Sequence, residues 1–279
     1  MTYEQHKDLK PEEFKRLCGV HKETFNRMVS VVTEQVEQKK KKTGKPSKLS
    51  VEDQVLVGLE YWREYRTYFH IACAWGIHEA TVCRIVRKVE NALVRSRVFK
   101  LPGKKRLRDP KLGMKVVVID ATESSVERPK KRQKRFFSGK KRRHTLKSQL
   151  VVDPVTKAVV CTTYAPGKVH DFRLFKKSRV KLKTETECQA DKGYQGLQKL
   201  HFHTRLPKKK PKGGKLSKQE KQLNRALAKE RIVAEHVIGK LKIFKIVSER
   251  YRNRRKRFGL RFNLIAGLYN YELSLRAVT

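Results

Sequence analysis

Three acidic residues in this chain stand where a metal-assisted reaction would need them. Two short strand-like runs end in an aspartate, Val116-Val117-Val118-Ile119-Asp120 and Cys188-Gln189-Ala190-Asp191, and a helical stretch from Arg231 to Lys242 carries Glu235. Three carboxylates from separate elements, gathered in space, suit a pair of magnesium ions that activate water and steady a leaving oxygen. At about 100° per residue, Arg231, Glu235 and Lys242 fall within roughly 40° of one another, while Val233, Val237, Leu241 and Phe244 fall on another side and are available for burial. A solvated, salt-bridged face is the competing reading of an acid between two bases. Glu230 lies roughly 140° from Glu235, near the apolar side, which leaves Glu235 the better ligand.

The elements that must position these acids follow from pattern. Val116 to Asp120 forms a strand that ends at the aspartate, with Thr122 to Val126 as the alternative far end. His144 to Val152, a turn at Asp153-Pro154 and Ala158 to Tyr164 alternate as a hairpin. Gly167 to Asp171 opens a helix, with Asp171 read as its N-cap in preference to a metal ligand. After Asp191, Gly193 permits a tight exit from the strand and keeps the aspartate at its mouth. The long helix begins near Ser217, and Phe258 to Leu275 forms a C-terminal helix expected to pack on the sheet.

Upstream, Pro11, Glu12 and Glu13 suit the start of a helix within residues 1–44, a helical accessory. Ser50 caps the next helix, with Asp53 three residues on. Tyr68 to Arg87 fits a helix-turn-helix. Gly76 makes the turn, Ala72 leaves room for the second helix, and Ile71, Trp75, Ile77, Val82 and Ile85 fill the small core. The second helix starts near Glu79 and presents His78, Thr81, Arg84, Arg87 and Lys88 for groove and phosphate contacts. Plain structural packing is the alternative.

With 69 Lys plus Arg against 27 Asp plus Glu, the 279-residue chain carries a formal charge of +42. A polyanion is the default partner. No apolar run of about 18 residues and no signal-peptide core is visible, so a soluble, cytoplasmic protein is expected, with no membrane partner. Five cysteines without a Cys-x-x-Cys pair read as reduced thiols. His201-x-His203 lacks further ligands for zinc.

Basic segments interrupt the pattern. Residues 38–49 read as a phosphate-tracking linker or a plain tether. Arg128 to Lys147 holds eleven Lys or Arg and no acid, a hairpin arm (127–148) whose Lys130, Lys131, Arg132, Lys134, Arg135, Lys140, Lys141, Arg142 and Arg143 meet the DNA backbone. Phe136 and Phe137 within it either stack on sugars and bases or pack as edge-strand residues. A Lys-rich loop (205–222) and a basic run with Arg252, Arg254 and Arg255 complete the set. The organisation expected is thus 1–44 accessory, 45–110 helix-turn-helix domain and 111–279 catalytic domain.

These residues resemble the bacterial insertion-sequence transposases of the IS-five family, within the DDE superfamily that includes Harbinger-type enzymes. The resemblance covers nearly all of residues 50–275. It rests on Arg231-x3-Glu235-x6-Lys242, Asp191-Lys192-Gly193-Tyr194, Ile119-Asp120, the Gly167–Asp171 stretch and the helix-turn-helix. Ala228 departs from it, since the family often has tyrosine there. The resemblance implies an α/β, RNase H-like catalytic domain, a mixed sheet with flanking helices, preceded by an all-α helix-turn-helix region. It also implies two Mg²⁺ ions, for which Mn²⁺ would substitute, with Asp120 bridging both and Asp191 and Glu235 each holding one. Arg231 and Lys242 would contact phosphate or fix Glu235. The activity implied is cleavage at the terminal inverted repeats of the element and joining of the freed 3′-OH to target DNA, by a dimer or larger assembly on double-stranded DNA. A transposase-derived DNA-binding protein without catalysis, and a basic RNA-binding protein, are the competing classes.

Overall fold

The computed structural model describes residues 2–38, 47–109, 113–211, 213–253 and 255–276. Arg254 and most of the 38–49 linker lie outside the described residues. Two compact units emerge: a helical one made of the chain up to Lys100, Lys242–Glu249 and Leu260 onward, and a sheet unit of Leu101–Leu241 and Arg250–Gly259.

In the helical unit, α1 (Pro11–Cys18) and α2 (Lys22–Glu37) bury Phe14, Phe25, Met28, Val31 and Val32. Pro11 occupies the first turn of α1, where its missing N–H costs nothing. Next come α3 (Val51–Arg63), α4 (Tyr68–Trp75) and α5 (Glu79–Ser96). Ser50 caps α3 by accepting from the Asp53 N–H, but Asp53 does not close the box. Its carboxylate accepts instead from the Tyr3 N–H at 2.7 Å and ties down the N-terminal segment. Gly76 ends α4 in the left-handed region (φ 60°), and the Ile77 N–H reaches back to the Ala72 carbonyl.

Beneath the helix-turn-helix, Ile71, Trp75, Val82 and Ile85 are buried, Ile77 is half-buried, and Gly58 of α3 lets Val89 of α5 approach closely. Glu90, fully buried, accepts from Arg261 Nε at 2.6 Å and Trp62 Nε1 at 3.2 Å. Arg261 belongs to the last helix, α10 (Phe258–Arg276), which therefore departs from the sequence expectation. Its first two residues, Phe258 and Gly259, belong to the sheet unit, where Phe258 packs on the Tyr164 and Tyr251 rings and Gly259 lies against Tyr164. From Leu260 the helix packs among the other helices, with Gly267 against the Phe99 backbone and Tyr271 against the Phe99 ring. An apolar helix read from sequence shows that it must be covered, not by what.

The sheet unit is built on β1 (Val116–Ser125), β3 (Arg143–Val152) and β4 (Val159–Pro166) in antiparallel pairing, with the two-residue β2 (Phe137–Ser138) joined to β3. On the other side β1 runs parallel to β5 (Glu187–Ala190), and β5 to β6 (Thr204–Arg205). The strand carrying Asp120 does not stop there but continues to Ser125, because β3 pairs with it as far as Ser125↔Thr145.

One sheet face buries Val117, Ile119, Val151, Cys188 and Ala190 with Phe175 of α7 (Asp171–Ser178). The opposite face meets α8 (Lys218–Leu241), where Glu230 accepts from Gln189 Nε2 of β5. The basic arm holds a short helix, α6 (Gln133–Phe136), so it is less of a hairpin than its charge suggests, and only Phe137 and Ser138 pair with β3. The remaining helix, α9 (Lys245–Ser248), lies in the helical unit.

Candidate active site

Parallel pairing of β1 and β5 ends at Ile119↔Ala190. The next residue on each strand is Asp120 or Asp191, so the two carboxylates issue from neighbouring strands at one level. Strand alternation turns Asp120, like Gln189, toward α8. Asp120 Oδ1 accepts from the Ala121 N–H at 2.8 Å, and Asp191 Oδ1 from the Gly193 N–H at 2.8 Å. The second bond closes a tight turn that ends the strand and fixes Asp191 at its mouth.

Helix α8 brings the third acid. Its buried row is Leu227, Arg231, Ala234, Ile238 and Leu241, joined by Val237, at the three- and four-residue steps of a helix face. Two sequence readings change here. Val233 is only half-buried, and Arg231 lies in the core row itself, 9% exposed, where an apolar residue would be routine. Glu235 is exposed at the edge of this row. Helix α8 closes at Leu241, so Lys242 is not on it and begins the Lys242–Glu249 segment of the helical unit. Glu230 faces β5 and β6, paired with Arg205 at 2.8 Å.

The electrostatics link these groups. Burial pushes the Asp120 carboxyl up to about 6 from an ordinary 3.8; the Ala121 N–H and the Arg231 charge oppose that rise, and the negative charges of Asp191 and Glu235 add to it. Arg231 Nε is buried without a hydrogen-bond partner. Among the described residues, no three His, Cys, Asp or Glu side chains stand close enough to grip one ion. Asp120, Asp191 and Glu235 thus share a field without forming a closed cage.

Residues 119–270 match the family model described as "DDE superfamily endonuclease", and residues 47–98 match "Helix-turn-helix of DDE superfamily endonuclease". The chain is also 55% identical over 277 residues, 99% of its length and all of the relative's, to a probable transposase for insertion sequence element IS702 from Microchaete diplosiphon. The chain belongs to the DDE superfamily of transposases. No solved structure matches it significantly. Endonucleases of this superfamily use divalent metals, and no helix among the described residues of this transposase is long and apolar enough to cross a membrane.

Around its helix-turn-helix, the transposase commits some of the expected DNA-contact residues to local bonds. His78 is the N-cap of α5, its ring accepting from the Ala80 N–H at 3.1 Å. Arg84 bonds the Ala80 carbonyl and the Thr81 hydroxyl, both at 3.3 Å, and Lys88 donates to Gln54 Oε1 at 2.8 Å. Arg84, Arg87 and Lys88 are nonetheless exposed. A cleft of about 1180 Å³ opens here, lined by Lys48, Phe69, Cys73, His78 and Arg84 among others.

In the sheet unit, the arm residues Lys130, Lys131, Arg132, Lys134, Arg135, Lys140, Lys141, Arg142 and Arg143 are all exposed. Phe136 is buried and Phe137 is 44% exposed, so the packed alternative holds for the first ring. Arg255 stacks over the Phe136 ring at 4.5 Å, and Val126 bridges to Tyr251. The arm and the exposed Arg252 and Arg255, more than a hundred residues apart in sequence, therefore form one basic surface.

The sequence reading missed Lys147 and Glu123, and it gave Tyr194 no role beyond the motif that contains it. Lys147 Nζ is buried against Asp171 (2.7 Å) and Glu123 (3.6 Å). Asp171 is the first residue of α7 and ion-paired, while His170 holds the cap position, so the N-cap reading gives way. Tyr194 is fully buried, and burial with the charges of Asp171, Asp120 and Asp191 keeps its phenol neutral. Its hydroxyl donates to Gln149 Oε1 at 3.3 Å. The available signals were the Gly167–Asp171 stretch and the Asp191–Tyr194 motif, whose mutual contact no spacing rule supplies.

Proposed function

We propose that this DDE transposase binds the terminal inverted repeats of its element in duplex DNA, hydrolyses a phosphodiester at each end, and joins the freed 3′-OH to target DNA. Asp120, Asp191 and Glu235 are the proposed metal-holding acids. The observation that carries the reading is the register of β1 and β5, which sets Asp120 beside Asp191, together with the Glu235 and Arg231 charges that act on Asp120.

The donor set fits a hard divalent cation. All three groups are carboxylates, and Asp120, whose charged form is disfavoured first by burial and further by the charges of Asp191 and Glu235, is relieved by a nearby positive charge. Mg²⁺, or Mn²⁺ in its place, would supply the Lewis acid that activates the attacking oxygen and steadies the leaving one. Glu235, exposed at the helix edge, is free to turn toward the two aspartates. Arg231, with Nε unpartnered, offers a donor to a phosphate oxygen arriving at Asp120. Helix α5 and the basic surface of the arm hold the duplex through phosphate contacts, with Arg84 and Arg87 leading in the groove. Two DNA ends must be joined in concert, so a dimer or larger assembly on DNA is part of the proposal.

The test uses duplex DNA flanking the protein's own coding sequence, incubated with protein and Mg²⁺ and mapped for nicks. Discrete cuts at matching inverted repeats that vanish in Glu235→Ala support the reading. Tight binding without cuts in Mg²⁺ or Mn²⁺ overturns it in favour of a DNA-binding protein without catalysis.

A further inference from the structure

The Gly167–Asp171 stretch lies between a buried cation, Lys147, and the Asp191–Tyr194 turn. Lys147 of β3 is 7% exposed, and its register partner on β1 is Glu123. Its ammonium donates to the Val169 carbonyl at 2.9 Å and to Asp171 Oδ1 at 2.7 Å, with Glu123 Oε1 at 3.6 Å. Glu123 Oε2 accepts from the Thr145 hydroxyl at 2.7 Å. That hydroxyl lies 1.9 Å from where a Cβ on residue 167 would be. Only glycine lets the chain lie flat on β3 there and deliver Asp171 to Lys147.

The other oxygen of Asp171 faces the second motif. A Cβ on residue 193 would stand 2.3 Å from Asp171 Oδ2 and 2.9 Å from Asp191 Oδ1. The Gly193 backbone is thus wedged between two carboxylates while its N–H donates to Asp191. Two like charges this close repel unless one is neutralised, and Lys147 neutralises Asp171. Tyr194, anchored at Gln149, pins the far side of the turn.

We infer that Lys147 and Asp171 are a positioning pair: Lys147 cancels the Asp171 charge, and Asp171 braces Gly193 so that the Asp191 carboxylate stays at the strand mouth to hold metal. This rests on the proposed role of Asp191 as a metal ligand. Neither residue touches the reacting atoms, so their effect passes through Asp191, as with other outer contacts of a metal site.

The test measures Mn²⁺ binding to the full chain by electron paramagnetic resonance of the free ion, without DNA or turnover. Asp191→Asn is the control and circular dichroism the check of folding. Asp171→Asn, nearly isosteric, and Lys147→Met are each expected to weaken Mn²⁺ binding by about 10- to 100-fold. The double variant should bind no worse than Lys147→Met, because removing the second charge removes the repulsion that the first substitution exposes. Wild-type affinity in folded Asp171→Asn, or losses that multiply in the double variant, overturns the positioning role. If Asp191→Asn itself leaves Mn²⁺ binding intact, the reading of Asp191 as a ligand fails and takes this inference with it.

Discussion

Ile119 and Ala190 are the last paired residues of two parallel strands, and the residue after each is an aspartate. This relationship converts two motifs 71 residues apart into one acidic edge beneath α8. The conversion is a matter of hydrogen-bond register, since a slip of one residue would send Asp120 and Asp191 to opposite faces. The consequences can be measured.

Replacing Asp120 or Asp191 by Asn, or Glu235 by Gln, is expected to lower DNA cleavage by more than about a hundredfold, beyond the usual effect of an outer contact. Gel-shift affinity for terminal DNA should be unchanged. Cleavage that survives in any one variant would remove that residue from the proposed triad.

Asp120 makes a pH-dependent contribution to stability. Its folded pKa of about 6 exceeds the ordinary 3.8, so the folded state holds this proton more tightly than the unfolded chain. That contribution is complete below about pH 3.8 and is lost as pH rises through about 6, an effect on the order of 3 kcal/mol. In metal-free buffer, Asp120→Asn should therefore raise Tm relative to wild type more at pH 8 than at pH 5. An equal Tm difference at both pH values would rule out this burial cost.

Arg231 occupies a core row without a partner for Nε, an arrangement that costs stability. Arg231→Met should fill the row with an apolar side chain and leave Tm unchanged or higher. Cleavage should fall by about tenfold or more, the scale of one lost charge-assisted contact. A large drop in Tm with cleavage per folded molecule unchanged would make Arg231 structural.

Arg84 and Arg87 are exposed on the second helix of the helix-turn-helix. If either neutralises a phosphate, its replacement by Ala should reduce the salt dependence of DNA binding by about one unit of slope; if it reads a base, discrimination between sites should fall instead. Binding titrations at several salt concentrations, on matched and scrambled duplexes, separate these outcomes, and no change in either quantity would exclude both residues from the interface.

The buried Arg261–Glu90 pair ties α10 to α5. Arg261→Ala strands a buried carboxylate and should destabilise the helical unit by about 3–5 kcal/mol, read by denaturant unfolding. A loss below about 1 kcal/mol would mean that water reaches Glu90.

By itself, the sequence determined what local physics controls. Gly76 after Ala72 and before Val82 specifies a helix-turn-helix because a left-handed turn and a small core need those residue types at those steps. Alternation specified β3 and β4, Ser50 specified a helix start, and an excess of 42 positive charges pointed to a polyanionic partner. Asp120, Asp191 and Glu235 could be singled out because each sits at a recognisable place on its element.

Tertiary structure decided what depends on distant chain segments. Helical periodicity places Arg231 near Glu235 but cannot say which side of α8 meets the sheet, and packing put Arg231 inside. An apolar pattern in α10 is satisfied equally by a sheet or by helices, and the buried charge of Glu90 sits among the helices to receive Arg261. Lys147 looked like one more cation in a run of eleven, yet β3 carries it inward to a carboxylate on another element. Charge and period are properties of a segment, whereas burial and pairing are properties of what the rest of the chain brings to it.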